Sequence, residues 1–92
     1  MDETTWKVVF SGRVQGVGFR YFVRSVAAEF PISGYVKNVY GGEVEMVVVG
    51  HFAALESFLN EIKSSSPGHI DQATVDRDYP VDQSFDSFVI EH

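Results

Sequence analysis

The sequence contains no cysteine, only three prolines among 92 residues, and seven basic side chains against thirteen acidic ones. The absence of cysteine excludes a disulfide, a thiolate metal ligand and a cysteine nucleophile. No apolar run approaches the roughly 20 residues that a membrane-spanning helix needs, and the acidic start MDETTWKVVF lacks the basic region of a signal peptide. We therefore expect a soluble, cytoplasmic protein that has no membrane partner.

The shortage of basic residues gives a formal net charge of −6. A field of this sign repels polyanions at long range, which argues against nucleic acid as a partner. It does not exclude a small anionic ligand, because a local cluster of hydrogen-bond donors overrides the mean field at short distance.

Apolar residues make up 45% of the chain, including eight phenylalanines, which is enough for a packed core. The length fits one domain, and we assign residues 1–92 to it. No coiled-coil pattern is present, so a monomer is expected.

Periodic segments predict the order of the secondary structure. TWKVVFSGRV alternates as a half-buried strand with Trp6, Val8 and Phe10 on one face, and helical spacing follows it as far as Phe30, before Pro31. The segments ISGYVKNVY and EVEMVVVG read as a hairpin around two glycines.

The second half of the chain is predicted to contain another helix and further strands. A helical stripe runs from His51 to about Lys63 and includes Phe52, and the sequence SSSPG ends it. IDQATVDRDY and SFDSFVIEH alternate as two strands around a turn near Pro80 to Gln83. The order predicts an α+β fold of the ferredoxin-like, split βαβ type, with one antiparallel sheet and two helices on one face.

The stretch GRVQGVGFRYF places glycines where the first strand becomes the first helix. Taken singly, such glycines only permit a tight turn, and Arg20 is an ordinary surface charge. Taken together, Gly16 and Gly18 let backbone N–H groups converge, the helix start near Phe19 adds its positive dipole end, and Arg20 adds a planar charged fork. The combination predicts a site for a tetrahedral anion, whereas Arg24, one turn further, fits a solvated helix face.

Other catalytic patterns are missing from the sequence. No Lys followed by Ser or Thr completes a Walker loop, and Tyr21 stands where a dinucleotide fingerprint needs its third glycine. The histidines at 51, 69 and 92 are scattered, so neither a metal site nor a hydrolase triad is predicted. Two carboxylate pairs are expected on solvated strand faces: Glu43 with Glu45, and Asp76 with Asp78.

GRVQGVGFRYFV, followed by GYVKN, GGEVEMVVVG and the closing FDSFVI, resembles the signature of the acylphosphatase family, whose members are small ferredoxin-like enzymes. The similarity runs from Trp6 to Ile90, with the order and spacing of the first motif intact. By this resemblance Arg20 corresponds to the phosphate-binding arginine and Asn38 to the asparagine that positions the attacking water. The matching phosphate cradle is the backbone of Gln15, Gly16, Val17, Gly18 and Phe19.

The resemblance implies hydrolysis of an acyl phosphate to a carboxylate and inorganic phosphate, with phosphate as product or inhibitor. It implies no cofactor and no metal. Two turns depart from the family pattern, at Pro31 and at SSSPG, and both are expected to lie away from the catalytic motifs.

Two alternatives remain open. The first is a binding module that holds phosphate or an acyl phosphate without hydrolysis, as domains of this kind inside larger proteins would; a chain that starts at Met1 and stops soon after its last strand favours an independent enzyme. The second is an RNA-binding ferredoxin-like domain, which would need aromatic residues and basic surroundings on the open sheet face.

Overall fold

A computed structural model describes residues 3–80 and 84–92. Most of the turn predicted near Pro80 to Gln83 lies outside these residues. The elements in chain order are β1 (Thr4–Arg13), α1 (Phe19–Ala27), β2 (Ser33–Asn38), β3 (Val44–Gly50), α2 (Phe52–Ser65), β4 (His69–Asp76) and β5 (Phe88–Glu91).

Within the described residues the strands form one five-stranded sheet in the order β4-β1-β3-β2-β5. The pairings of β1 with β3, β1 with β4, and β2 with β3 are antiparallel. The α+β, ferredoxin-like fold is therefore confirmed, but the sheet is mixed rather than wholly antiparallel, since β5 runs parallel to β2. β4 and β5 are the two edge strands of the sheet, on opposite sides of it.

The core lies between the sheet and the helices. As predicted, Trp6, Val8 and Phe10 of β1 are buried, and alternate residues of β3 join them. Each helix contributes one stripe of buried apolar side chains to the core. The stripe of α1 includes Val23, and the stripe of α2 includes Phe58. Both helices thus cover the same face of the sheet.

The boundaries of the helices differ modestly from the prediction. α1 ends at Ala27, before Phe30, because the chain leaves the helix through tight turns such as the bond from the Phe30 N–H to the Ala27 carbonyl oxygen, 3.1 Å. Phe52 was predicted inside the α2 stripe but is 57% exposed at the first position of the helix, where its ring meets the edge of Trp6. No helix of the described residues has the length and apolarity that crossing a membrane requires.

The face of the sheet opposite the helices carries a small charged network centred on Glu45. The prediction that Glu45 is solvated is wrong, because only 17% of its side chain is exposed. Its carboxylate accepts a 2.8 Å hydrogen bond from the Tyr35 hydroxyl and lies 3.6 Å from Lys7 Nζ and 3.8 Å from Lys37 Nζ. Cross-strand neighbours on β1 and β2 therefore neutralise the carboxylate.

Tyr79 and Phe85, which follow β4 and precede β5, pack over this second face. The Tyr79 N–H donates to the Thr5 carbonyl oxygen, 3.3 Å, and the Tyr79 ring lies under Lys7 Nζ. Phe85 packs against the Tyr35 ring, with centroids 6.0 Å apart. The face is therefore not an open platform.

The pH dependence of stability tests the Tyr35–Glu45 contact. Burial, and then the hydrogen bond to Glu45, raises the pKa of Tyr35 above that of an unfolded chain. Because the folded-state pKa is the higher one, protonated Tyr35 contributes stability fully below about pH 10, and this contribution is lost as the pH rises above that value. Urea unfolding at increasing pH is expected to show a steeper alkaline loss for the wild type than for Tyr35→Phe.

The matched control is Tyr40→Phe, because Tyr40 is 93% exposed. It should follow the wild type across the whole pH range. Parallel alkaline profiles for the wild type and Tyr35→Phe would contradict the prediction.

Candidate active site

The site begins with the loop of residues 14–18, which joins β1 to α1. Val14 and Phe19, at its two ends, are each only 1% exposed. The Phe19 ring packs edge-on against Phe10 of β1, with centroids 5.1 Å apart. Burial of these two side chains fixes where the loop leaves the strand and enters the helix.

Glycine gives the loop its shape. Gly16 and Gly18 have φ angles of 74° and 82°, in the left-handed region that side-chain-bearing residues rarely adopt. A Cβ at either position would meet no atom within 4 Å, so both backbones face open space. Within the described parts of the chain, the N–H groups of residues 15–18 have no recorded hydrogen-bond acceptor. These donors remain available to a ligand, as the sequence predicts.

The start of α1 adds further donors. Gly18 is its N-cap residue, and the first helical hydrogen bond runs from the Phe22 N–H to the Gly18 carbonyl oxygen, 3.0 Å. The N–H groups before Phe22 therefore have no acceptor inside the helix. No acidic residue lies in the first turn, so the positive end of the helix dipole is not neutralised by its own sequence.

Arg20, in this first turn, is half-buried. Among residues 3–80 and 84–92 its guanidinium has no ion pair or hydrogen bond, although the chain is acidic overall. Other basic residues are used structurally: Arg77 pairs with Glu56 and covers Trp6. Arg20 is free to bind an anion through its planar fork.

A cavity of about 200 Å³ brings the predicted catalytic residues together. Its lining residues are Val14, Gly16, Gly18, Phe19, Arg20, Tyr21 and Asn38. Asn38 reaches it from the last position of β2, which is exposed. Arg20 and Asn38, distant in sequence, thus share one cavity. Tyr21 was not predicted to line this cavity, and nothing in its spacing indicates that it would.

A side-chain contact holds the loop to the β2–β3 hairpin. Gln15 Nε2 donates to the carbonyl oxygens of Val39, 2.9 Å, and Glu43, 2.8 Å. The sequence predicts a role only for the backbone of Gln15, because a glutamine in a glycine-rich loop does not reveal the partners of its side chain. The structure places its amide next to the end of the strand that carries Asn38.

The turn after α2, which contains Gly68, packs against the loop of residues 14–18. It was expected to lie away from the catalytic motifs, and this expectation is wrong for Gly68. A Cβ on Gly68 would collide with the Arg13 carbonyl oxygen and lie 2.8 Å from Cγ2 of Val17. Because the glycine has no side chain, the turn can pack directly against the loop.

The remaining polar residues do not form a second catalytic cluster. A larger cavity, about 530 Å³, lies between α1 and the start of β5, and Arg24 lines that cavity rather than the one beside Arg20. In the described ranges no three His, Asp or Glu side chains are grouped as metal ligands would be, and His69 pairs with Asp71, 3.1 Å.

The fold and this site together define a ferredoxin-like α+β domain in which a glycine-rich loop, a helix N-terminus and an arginine line one cavity. The family model for acylphosphatase matches residues 6–90. A relative named acylphosphatase in Archaeoglobus fulgidus is 51% identical over 61 residues, which is 66% of this chain and 68% of the relative. The chain belongs to the acylphosphatase family.

Solved structures agree with this assignment. The acylphosphatase from Bacillus subtilis matches with a TM-score of 0.88 at 34% identity, over 97% of this chain and 99% of that one. Full-length HypF, in a phosphate- and nucleotide-bound form, matches with a TM-score of 0.89 at 30% identity, over 99% of this chain but only 12% of its own. The same fold therefore occurs both alone and inside a much larger protein.

Replacing Gly18 by alanine tests the role of the loop backbone. The left-handed conformation should cost about 1–2 kcal/mol of stability, and the added methyl group would enter the space in front of the loop. We expect Gly18→Ala to be less stable and to bind inorganic phosphate more weakly, as measured by denaturation and calorimetry.

Gly41→Ala is the matched control. Gly41 has a φ of 98° and open space around its missing Cβ, but it does not line the cavity. It should lose comparable stability and keep phosphate affinity. Equal phosphate affinity in both variants would contradict the assignment of the loop.

Proposed function

We propose that the protein is an acylphosphatase that hydrolyses carboxyl-phosphate bonds to a carboxylate and inorganic phosphate, with Arg20 and Asn38 as its catalytic residues. The observation that carries the proposal is the shared cavity of the loop glycines, Arg20 and Asn38. Membership of the family supports the reaction class.

The phosphoryl group would lie in the loop. The backbone N–H groups of the residues from Gln15 to Phe19 would donate to its oxygens, and Arg20 would supply a bidentate, permanently charged partner. In a loose phosphoryl-transfer transition state, charge spreads over the equatorial oxygens. Donors held by a preformed backbone stabilise that charge without reorganising during the reaction.

Asn38 would orient the attacking water. Its amide both donates and accepts hydrogen bonds, so it can hold a water in line with the scissile P–O bond. A carboxylate leaves without prior protonation, and a phosphate oxygen of the substrate accepts the proton of the water. The reaction then needs no protein base, no metal and no cofactor, because Arg20 and the amides provide the charge stabilisation.

Specificity should be broad with respect to the acyl group. The loop and Arg20 contact the phosphate end, which all acyl phosphates share. Inorganic phosphate offers the same oxygens and should act as product and competitive inhibitor. Comparable rates on two unrelated acyl phosphates would support this specificity.

We further propose that residues 1–92 form one catalytic domain that works as a cytoplasmic monomer. The near-complete overlap with the Bacillus subtilis chain supports a stand-alone enzyme. RNA binding on the second sheet face is disfavoured, because Tyr79 and Phe85 pack over that face.

The competing function is a phosphate-binding module without turnover. The match to a short part of HypF gives this alternative its specific support. Phosphate binding alone does not separate the two functions, since both predict it.

The deciding experiment measures phosphate release from benzoyl phosphate in the presence of a metal chelator. We expect rapid turnover by the wild type and a loss on the order of 10²-fold or more in Arg20→Ala, because a transition-state donor is removed. Arg20→Lys should also lose most activity, since a point charge does not reproduce the planar fork.

Arg24→Ala is the charge-matched control on the same helix, because Arg24 lies outside the cavity. It should remain active. Full activity in folded Arg20→Ala would overturn the assignment, and a wild type that binds phosphate but does not turn over would establish the binding module.

Asn38→Ala separates water positioning from phosphate binding. The variant should lose turnover while its inhibition by inorganic phosphate changes little, because the loop and Arg20 remain. Steady-state kinetics with phosphate as competitor measure both quantities. A large loss of phosphate affinity with unchanged turnover would assign Asn38 to binding instead.

A further inference from the structure

We propose that the side-chain amide of Gln15 is a positioning residue that fixes Asn38 relative to the phosphate-binding loop. This inference rests on the proposed function, in which Asn38 orients water and the loop holds phosphate. It concerns the side chain of Gln15, whereas the phosphate cradle uses only the backbone.

The geometry of the contact is specific. Both hydrogens of one amide nitrogen are accounted for by carbonyl oxygens at 2.9 Å on Val39 and 2.8 Å on Glu43. These two residues also close the hairpin turn, through the Val39 N–H and the Glu43 carbonyl oxygen, 2.9 Å. Gln15 therefore binds the first and last residues of the turn that joins β2 to β3.

No other hydrogen bond recorded for the described residues joins the loop, residues 14–18, to the hairpin, residues 38–44. Asn38 directly precedes Val39, and its own side chain has no recorded partner in this part of the structure. Pairing with Val44 holds the Asn38 backbone in the sheet, and the Gln15 amide ties the next residue, Val39, to the loop. The position of Asn38 relative to the phosphate-binding loop thus depends on the contact that Gln15 makes.

The loop has other supports, which makes the contribution of Gln15 separable. Val14 and Phe19 are buried at its ends, and Gly68 packs beneath it. Loss of the Gln15 amide should therefore release the hairpin more than the loop. Turnover should fall because the water is misplaced, while phosphate binding is kept.

Two variants remove the donors in different ways. Gln15→Met keeps the length of the side chain without a donor, and Gln15→Glu keeps its shape but places a carboxylate, which only accepts, before two carbonyl oxygens. Because misplacement by about 1 Å costs up to 10²-fold in rate, we expect kcat on benzoyl phosphate to fall about tenfold or more in both variants. Inhibition by inorganic phosphate should change little in Gln15→Met, which adds no charge to the loop.

The control is Gln72→Met, the same substitution at an exposed position of β4. It should keep wild-type kcat. Urea unfolding of all variants establishes that each is folded under the assay conditions, so that a loss of kcat in a folded Gln15 variant reports positioning.

A double-mutant cycle tests whether Gln15 acts through Asn38. In an Asn38→Ala background, Gln15→Met should cost little further activity, because the group it positions is gone. Costs that multiply independently would overturn the inference, and so would a loss of phosphate affinity that matches the loss of kcat.

This test is distinguishable from that of the proposed function. An inactive wild type, or an active Arg20→Ala, defeats the proposed function. An active wild type and an inactive Arg20→Ala, together with normal kcat in folded Gln15→Met, defeat only the positioning role.

Discussion

The burial of Val14 and Phe19 is the constraint on which the site depends. Between these two anchors the chain must turn from a strand into a helix within a few residues. Glycines at positive φ make that turn possible, and the N–H groups of residues 15–18 have no acceptor within the described residues. The hydrophobic core therefore organises a polar site. Apolar packing at both ends fixes the course of the loop, so its exposed backbone N–H groups do not need partners within the protein. The stability of the core and the affinity for an anion are linked through the same five-residue connection.

The site is locally electropositive in a protein that is acidic overall. Its positive character comes from a helix start without a side-chain cap and from Arg20, which has no ion pair among residues 3–80 and 84–92, rather than from a broad basic surface. The nearest comparable charge network, around Glu45 on the other sheet face, is internally neutralised by Lys7 and Lys37. This distribution suits a small ligand held at short range. The net negative charge of the protein would repel a long polyanion before it reached the site.

The sequence allowed the fold type and most of the site to be predicted, because β1 and β3 carry clean alternation and the glycine-rich motif lies between two strong periodic segments. Arg20 and Asn38 were placed by family resemblance, and the cavity brings them together. The parallel pairing of β5, the burial of Glu45 and the support by Gly68 were not predictable. Each depends on a partner far along the chain, which local periodicity does not encode. The contact between the Gln15 side chain and Val39, 24 residues away, was not predictable for the same reason.

The strand order β4-β1-β3-β2-β5 has a consequence for how the chain reaches its active form. Only β2 and β3 are neighbours both in sequence and in the sheet, whereas β1 must meet β4 across contacts such as that between Ser11 and Gln72, 61 residues apart. Closing such distances is entropically costly before any contact is gained, so topologies of this kind fold more slowly than helical bundles, whose contacts are local. The loop comes from β1 and the asparagine from β2, and β3 lies between them in the sheet. The loop and Asn38 therefore come together only when both β1 and β2 have paired with β3.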